Sequence, residues 1–528
     1  MSATWFRFWL PVALALGCEG SDEPAASGDA ASEIESDTTP GGPDAASDGA
    51  DGTPDDDASA PPDVPTKPLA FCDGSTTFLY DPIAAETLGA FPDDFWTVDD
   101  ADSPSGLHLH FEQGLEWVKA VPGSFGDNVY ELEGIRGFGP TGSVFLRFSK
   151  AVPEPPSGDP ESLTSPALQL VELDGATFRR VPYTAKRLDD DTTIILEPLF
   201  PLRSNTLHAV IVTTEFQALD QGCIAPSEPL KALLTGQADD PRLARLVPKY
   251  AAMLAATGLA ADEISAAAVF TTQDPVADDL VVAADIRSRT YAWKGVTCDT
   301  KTKGVRHCEA SFQGNNYRDE ADIYAGGEPT IPYTYPVSVW LPESAGPHPM
   351  ILFAHGIAGD RFQGAGFAPF FASLGMGMVA IDSVEHADHP GGSSGGGTAD
   401  VLGFFAVDFS KPGVKGLVMR DNWRQAAWDK LQLVELMGQA PDIDGDETVD
   451  IDVDHIAFFG VSLGGIMGPE VMALTDRLGA GVLDICGGRL TSILRDSDQL
   501  GAFATLAAPG ATDSEIERFF ALAQTLID

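Results

Sequence analysis

The residues best suited to do chemistry are Gly460-Val461-Ser462-Leu463-Gly464-Gly465, which follow the apolar run Ile456-Ala457-Phe458-Phe459 and open a helical stretch. A serine between glycines at a strand-to-helix turn is the context of a nucleophile elbow. The glycines allow a turn in which bulkier side chains would clash, and the hydroxyl is left exposed at the strand end. The backbone N–H of Leu463 then points where a tetrahedral oxyanion would form. A second donor belongs on the loop after an earlier strand. Met350-Ile351-Leu352-Phe353-Ala354 runs straight into His355-Gly356-Ile357-Ala358-Gly359, so His355 and Gly356 build that loop and the Ile357 N–H is the donor. Two such donors stabilise the transition state of acyl transfer by several kcal/mol.

The elements that must position these residues alternate in type. Residues 337–341, 350–354, 377–382 and 456–459 read as strands. A helix around 420–437 carries Trp423, Ala427, Leu431 and Val434 on one face. This alternation predicts an α/β fold, a mostly parallel sheet with helices on both faces. Upstream, residues 144–148, 168–173, 192–196 and 208–212 are short runs rich in branched side chains, separated by turn signals such as Asp174-Gly175. They predict a small antiparallel sandwich. Helical patterns follow at 243–257 and 276–293. His108 and His110 alternate along 107–111 and read as a solvated strand face.

The 528-residue chain carries 32 Lys+Arg against 79 Asp+Glu, a net charge of −47. That charge repels phosphate backbones and excludes a nucleic-acid partner. Arg7 precedes an apolar stretch, residues 8–16, too short to span a bilayer and ending in Ala15-Leu16-Gly17-Cys18. It resembles a bacterial lipoprotein signal, in which cleavage before the cysteine leaves Cys18 to carry lipid. Ala15 stands where leucine is usual, with Leu14 one place earlier. Residues 19–66 contain no Lys or Arg and are dense in Asp, Ala, Ser, Gly and Pro, the composition of a disordered tether.

The other cysteines show no metal-binding spacing. Cys298 and Cys308 close a short loop, a candidate disulfide worth roughly 3 kcal/mol. Cys72 with Cys223 would staple the start of the first domain to its end, although sequence does not fix the pairing. Cys486, in the apolar pattern 482–486, reads as a small buried hydrophobe. Asp442, Asp444, Asp446 and Asp450 alternate so that their carboxylates can converge on calcium, with a solvated acidic loop as the competing reading. Glu385-His386-Ala387-Asp388-His389 has zinc-like spacing but also reads as a polar loop, and residues 391–397 read as a lid segment near the pocket.

Residues 336–528 resemble the α/β-hydrolase fold. Leu196-Glu197-Pro198-Leu199-Phe200-Pro201-Leu202 is similar to bacterial Ig-like domains of the surface-layer kind. Together with the lipoprotein signal, Arg420-Asp421-Asn422-Trp423-Arg424-Gln425-Ala426, the acidic loop and Gly-Val-Ser-Leu-Gly-Gly, the chain is similar to the bacterial virulence-factor lipase family. The resemblance implies an exported Gram-negative esterase or lysophospholipase acting on an ester or lipid. It also implies Ser462 as nucleophile, Ile357 and Leu463 as oxyanion donors, and no required cofactor. One departure matters: all nine histidines precede Ser462, whereas this fold orders its triad Ser, acid, His. The sequence therefore reads as lacking the last strands, which would leave a sheet edge open, with His386 and His389 as the candidates for a substitute base. The expected organisation is a signal peptide (1–18), a tether (19–66), an Ig-like β domain (67–270), a helical and disulfide-loop connector (271–335) and an incomplete hydrolase domain (336–528). The expected location is the outer membrane or cell surface, anchored through lipid. Two other readings are an inactive surface lipoprotein with a binding role and a serine peptidase of the same fold.

Overall fold

The branched runs pair first with one another. In the computed structural model, which describes residues 69–121, 125–329, 331–392, 396–408, 413–497, 508 and 510–528, eight strands build two four-stranded antiparallel sheets. They are β1 (Ala90–Phe91), β2 (Val144–Arg147), β3 (Leu168–Asp174), β4 (Thr177–Arg180), β5 (Tyr183–Arg187), β6 (Thr193–Pro198), β7 (Leu207–Thr213) and β8 (Ile264–Thr271). The sheet orders are β1-β2-β6-β5 and β8-β7-β3-β4. Phe145 and Ile194 of one sheet share a fully buried cluster with Leu170 and Val210 of the other, so both close on one core. The Tyr183 hydroxyl ties them further by donating to the Leu168 carbonyl at 2.9 Å. Cys72 and Cys223 are joined as a disulfide. The segment with Cys18, residues 19–66 and part of the 391–397 stretch lie outside the described residues.

Helices α1 (Val247–Thr257) and α2 (Ala277–Ser288) lead into a second, seven-stranded sheet. Its strands are β9 (Lys294–Asp299), β10 (Val305–Asn316), β11 (Ile331–Pro342), β12 (His348–Ala354), β13 (Gly377–Ala380), β14 (Ile451–Val461) and β15 (Leu478–Asp484). Their order is β9-β10-β11-β13-β12-β14-β15. The first three and the β11–β13 pair run antiparallel; β13, β12, β14 and β15 are parallel. The segment 271–335 is thus more than a connector, because β9 and β10 extend the sheet, and β11 begins before residue 336. β9 is exposed or half-buried throughout, as an edge strand can be, which hides it from an apolar-run criterion. Cys298 and Cys308 face each other in register across β9 and β10 and form a disulfide.

Alternation along the strands sends side chains to two helical layers. Val339 and Leu352 pack with Trp428 and Leu431 of α5 (Gly416–Gln439) and Val471 of α6 (Leu463–Ala473), while Trp340 and Phe353 pack with Ala368 of α3 (Ala368–Ser373). Among the described residues β15 has a partner on one side only. This edge corrects the reading of Cys486: the strand stops at Asp484, Ile485 takes φ +54° and is 63% exposed, and Cys486 is exposed and unpaired. An apolar pattern buries a residue only where something covers it.

The chain then turns back. Helices α7 (Leu490–Asp496) and α8 (Asp513–Ile527) carry it to the sandwich, where Gln273 donates to the Thr525 carbonyl at 2.9 Å and Arg518 pairs with Asp190 at 2.6 Å. No helix among the described residues is long and apolar enough to cross a membrane.

Candidate active site

Ser462 sits in the turn between β14 and α6 with φ 51° and ψ −109°, a strained backbone for a residue with a Cβ. The turn is pinned from two sides: the Ser462 N–H donates to the Asp484 carbonyl at 2.8 Å, and its carbonyl accepts from Ile466 at 2.9 Å. Glycine is required at two flanking positions. A Cβ on Gly464 would run into the Ala354 carbonyl, and one on Gly460 into the Gly464 carbonyl. Gly464 also donates to the His355 carbonyl at 3.2 Å, which locks the elbow to the loop after β12.

That loop accounts for its donors one by one. Gly356 N–H goes to Gln363 Oε1 at 3.0 Å, Ala358 N–H to His386 Nε2 at 3.2 Å and Gly359 N–H to the Gly356 carbonyl at 3.0 Å. Ile357 is left without an acceptor among the described residues. Leu463, first residue of α6, is likewise free, as the first N–H groups of a helix must be. A Cβ on Gly356 would lie 3.6 Å from Ser462 Cβ, so the loop and the elbow are neighbours. The two free donors are the pair read from sequence; Gln363, which holds the loop, carried no local signal, and His386, read there as a candidate base, holds the loop instead.

Apolar side chains surround these donors. Ile357 and Trp423 are half-buried between two clusters, one with Phe404 and Leu463, the other with Phe405, Met419 and Leu490. Phe404 ends α4 (Thr398–Phe404) and meets Trp423 edge-on at 5.1 Å. Trp423 thus faces the site, while Ala427, Leu431 and Val434 join the core beneath the sheet.

The histidines do not supply a base. His355 is fully buried; its Nε2 accepts from the Ser383 N–H at 2.9 Å and its Nδ1–H donates to the Gly356 carbonyl at 2.9 Å. His386 donates from Nδ1 to the Val384 carbonyl at 2.8 Å while its Nε2 holds Ala358. Burial pushes the pKa of both rings down, that of His355 strongly. His389 accepts at Nδ1 from Gly391 and donates from Nε2 to Asp429 at 2.9 Å, buried against Tyr333 and Tyr335. Both ring nitrogens of each are therefore spent. No hydrogen bond joins Ser462 Oγ to another described residue. The zinc spacing of 385–389 is dispersed as well, with Asp388 paired to Arg361 at 2.9 Å.

Three of the four candidate calcium ligands come together. Asp442, Asp444 and Asp450 converge, but Asp446 does not join them and instead accepts from the Thr448 N–H at 2.8 Å. The cation present is the Arg306 guanidinium, 2.8 Å from Asp444 and paired with Asp450. His108 and His110 each hydrogen-bond to an acid, Asp100 at 3.0 Å and Glu133 at 2.8 Å.

Behind the loop Lys430 is fully buried, with Nζ 3.0 Å from both Ser383 Oγ and the Ala426 carbonyl. Burial pushes its pKa down to about 8, against attraction from Asp429, Asp382 and Glu470. A lysine whose folded pKa is depressed lowers stability below that value, and the cost is relieved as pH rises from about 8 towards the unfolded value near 10.4. Lys430→Met should therefore raise stability at pH 7 by about 1–2 kcal/mol, after allowance for the lost hydrogen bonds. Urea unfolding checks this, and a loss of stability would show that the carboxylates outweigh desolvation.

The position of β13 between β11 and β12, with the elbow serine at the end of β14, is the arrangement of an α/β-hydrolase. Its site lies at the carboxyl ends of the parallel strands, where ligands bind in open α/β sheets. No family model matches the chain, and no curated protein matches it. Among solved structures it is similar to an acetyl xylan esterase from a Paenibacillus species, at 15% identity over 47% of this chain and 74% of that one, TM-score 0.30. It is also similar to acetyl xylan esterase 1 from a Thermoanaerobacterium species, at 15% identity over 48% and 73%, TM-score 0.31. The fold assignment rests on the strand order and the elbow.

Proposed function

We propose that the chain is a serine ester hydrolase of the lipase or esterase type, with Ser462 attacking the acyl carbon and the Ile357 and Leu463 N–H groups receiving the oxyanion. The observation that carries the reading is the pair of unspent backbone donors beside a strained serine turn. Donors already fixed where charge develops need no reorganisation during the reaction. The apolar surround of Ile357, Phe404 and Trp423 suits an acyl chain. No described residue offers Ser462 a base, and without one the hydroxyl is a weak nucleophile, so slow turnover by these residues is expected. The finer reading is an exported, lipid-anchored member of the virulence-factor lipase type, carried on Cys18, with an Ig-like first domain. It draws on the sequence motifs alone. A steady-state assay with p-nitrophenyl butyrate tests the central step: slow hydrolysis, lost in Ser462→Ala, supports it, and hydrolysis unchanged in Ser462→Ala removes the elbow from the chemistry.

A further inference from the structure

A cavity of about 260 Å³ opens where α8 meets the sandwich, and none of the residues around Ser462 lines it. This lies just below the range of about 300–1,000 Å³ usual for small-molecule sites, so its occupant is small. Phe145, Phe519 and Leu522 give it apolar walls, and Trp117, Arg147 and Arg518 also line it. The two arginines differ. Arg518 is committed, 2.6 Å from Asp190 and 3.4 Å from Thr193 Oγ1. The Arg147 guanidinium makes no hydrogen bond or ion pair with a described residue, and its Nε is buried without a partner. Trp117 is 5% exposed, and its indole nitrogen is likewise buried without an acceptor. Buried donors are ordinarily satisfied, and leaving them unpaired is costly. Two orphan donors in the lining of one cavity call for an acceptor from outside the chain.

We propose that this cavity binds a small carboxylic acid with an apolar tail, its carboxylate accepting from Arg147 Nε–H and the Trp117 indole N–H, and its tail lying on Phe145, Phe519 and Leu522. Two donors match two carboxylate oxygens. The Arg147 guanidinium has no ion pair of its own to give up, which suits a monoanion, and Glu86 and Glu515 in the same lining disfavour a more highly charged ligand. Desolvation and the neighbouring Arg518 push the pKa of Arg147 down, against attraction from Asp190 and Glu515, and an added anion would raise it. The site stands independently of Ser462.

Titration calorimetry of the full chain with octanoate tests this, with 1-octanol and inorganic phosphate as companion probes. One octanoate per chain is expected, with binding weakened about tenfold in Arg147→Gln and about fivefold in Trp117→Phe. Octanol and phosphate should each bind at least about tenfold more weakly. Far-UV circular dichroism establishes that each variant is folded, and Trp117→Phe preserves the test should Arg147→Gln fail to fold. Absence of saturable octanoate binding, equal affinity in the folded variants, or phosphate binding as tightly as octanoate overturns the proposal.

Discussion

Hydrolysis of p-nitrophenyl acetate by this chain is expected to rise when imidazole is supplied in solution, and the increment is expected to vanish in Ser462→Ala. Turn, strand and helix fix Ser462 beside the unspent Ile357 and Leu463 N–H groups, the nucleophile and oxyanion donors of the proposed mechanism. The component that the described residues do not bring to Oγ is a proton acceptor. A positioned general base contributes about 10²–10⁴ in rate, and loss of one triad member costs up to roughly 10⁶ in kcat. Free imidazole restores the chemical function without the positioning, so recovery of about tenfold is expected rather than full activity. Imidazole also cleaves activated esters by itself, and the Ser462→Ala protein measures that background. Equal rates in the two proteins across the imidazole series would mean that Ser462 is not waiting for a base.

The largest expected effect on stability lies in the sandwich. His208 is fully buried on β7, stacked on Phe270 with ring centroids 5.6 Å apart, and its Nε2 has no partner. Burial pushes its pKa down to about 4, although the Thr206 carbonyl and Glu172 oppose this. The unfolded chain binds this proton near pH 6.5 and the folded chain near pH 4. Between those values the unfolded state holds more protons, so the stability contributed by neutral His208 is complete above about pH 6.5 and is lost on acidification towards 4. The difference amounts to about 3 kcal/mol. Asp93, raised to about 7 by burial, works in the opposite direction over the same window, so total stability does not isolate the histidine. Comparison of wild type with His208→Phe does: the stability of wild type relative to the variant should fall by about 3 kcal/mol from pH 7 to pH 4 in denaturant titrations. A constant difference would mean that His208 is hydrated.

What the sequence reveals about this protein is what is encoded locally. The elbow is legible because an apolar strand, two glycines and a helix start all lie within a few residues of Ser462, and the Ile357 loop because it follows a strand without a break. The parts that were missed depend on distant chain. β9 and β10 lack continuous apolar runs, one being an exposed edge and the other alternating polar with buried positions. Arg306 reaches the acidic loop from 138 residues away, and no spacing rule within 442–450 anticipates a guanidinium there. Cys486 has a strand-like neighbourhood whose burial depended on a covering layer, and beside β15 the described residues provide none. Gln363, His386 and Lys430 support the site through contacts that only the assembled sheet creates.

In the proposed mechanism Ser462 is the nucleophile beside the Ile357 and Leu463 N–H groups. Intact-mass and peptide mass spectrometry after exposure of the full chain to an alkyl fluorophosphonate measures this, because such a reagent forms a stable tetrahedral adduct at an activated serine. The expected result is slow labelling of one residue per chain, on the peptide containing Ser462, accelerated by imidazole and absent in Ser462→Ala. A label on another serine, or equal labelling of the Ser462→Ala chain, would contradict it.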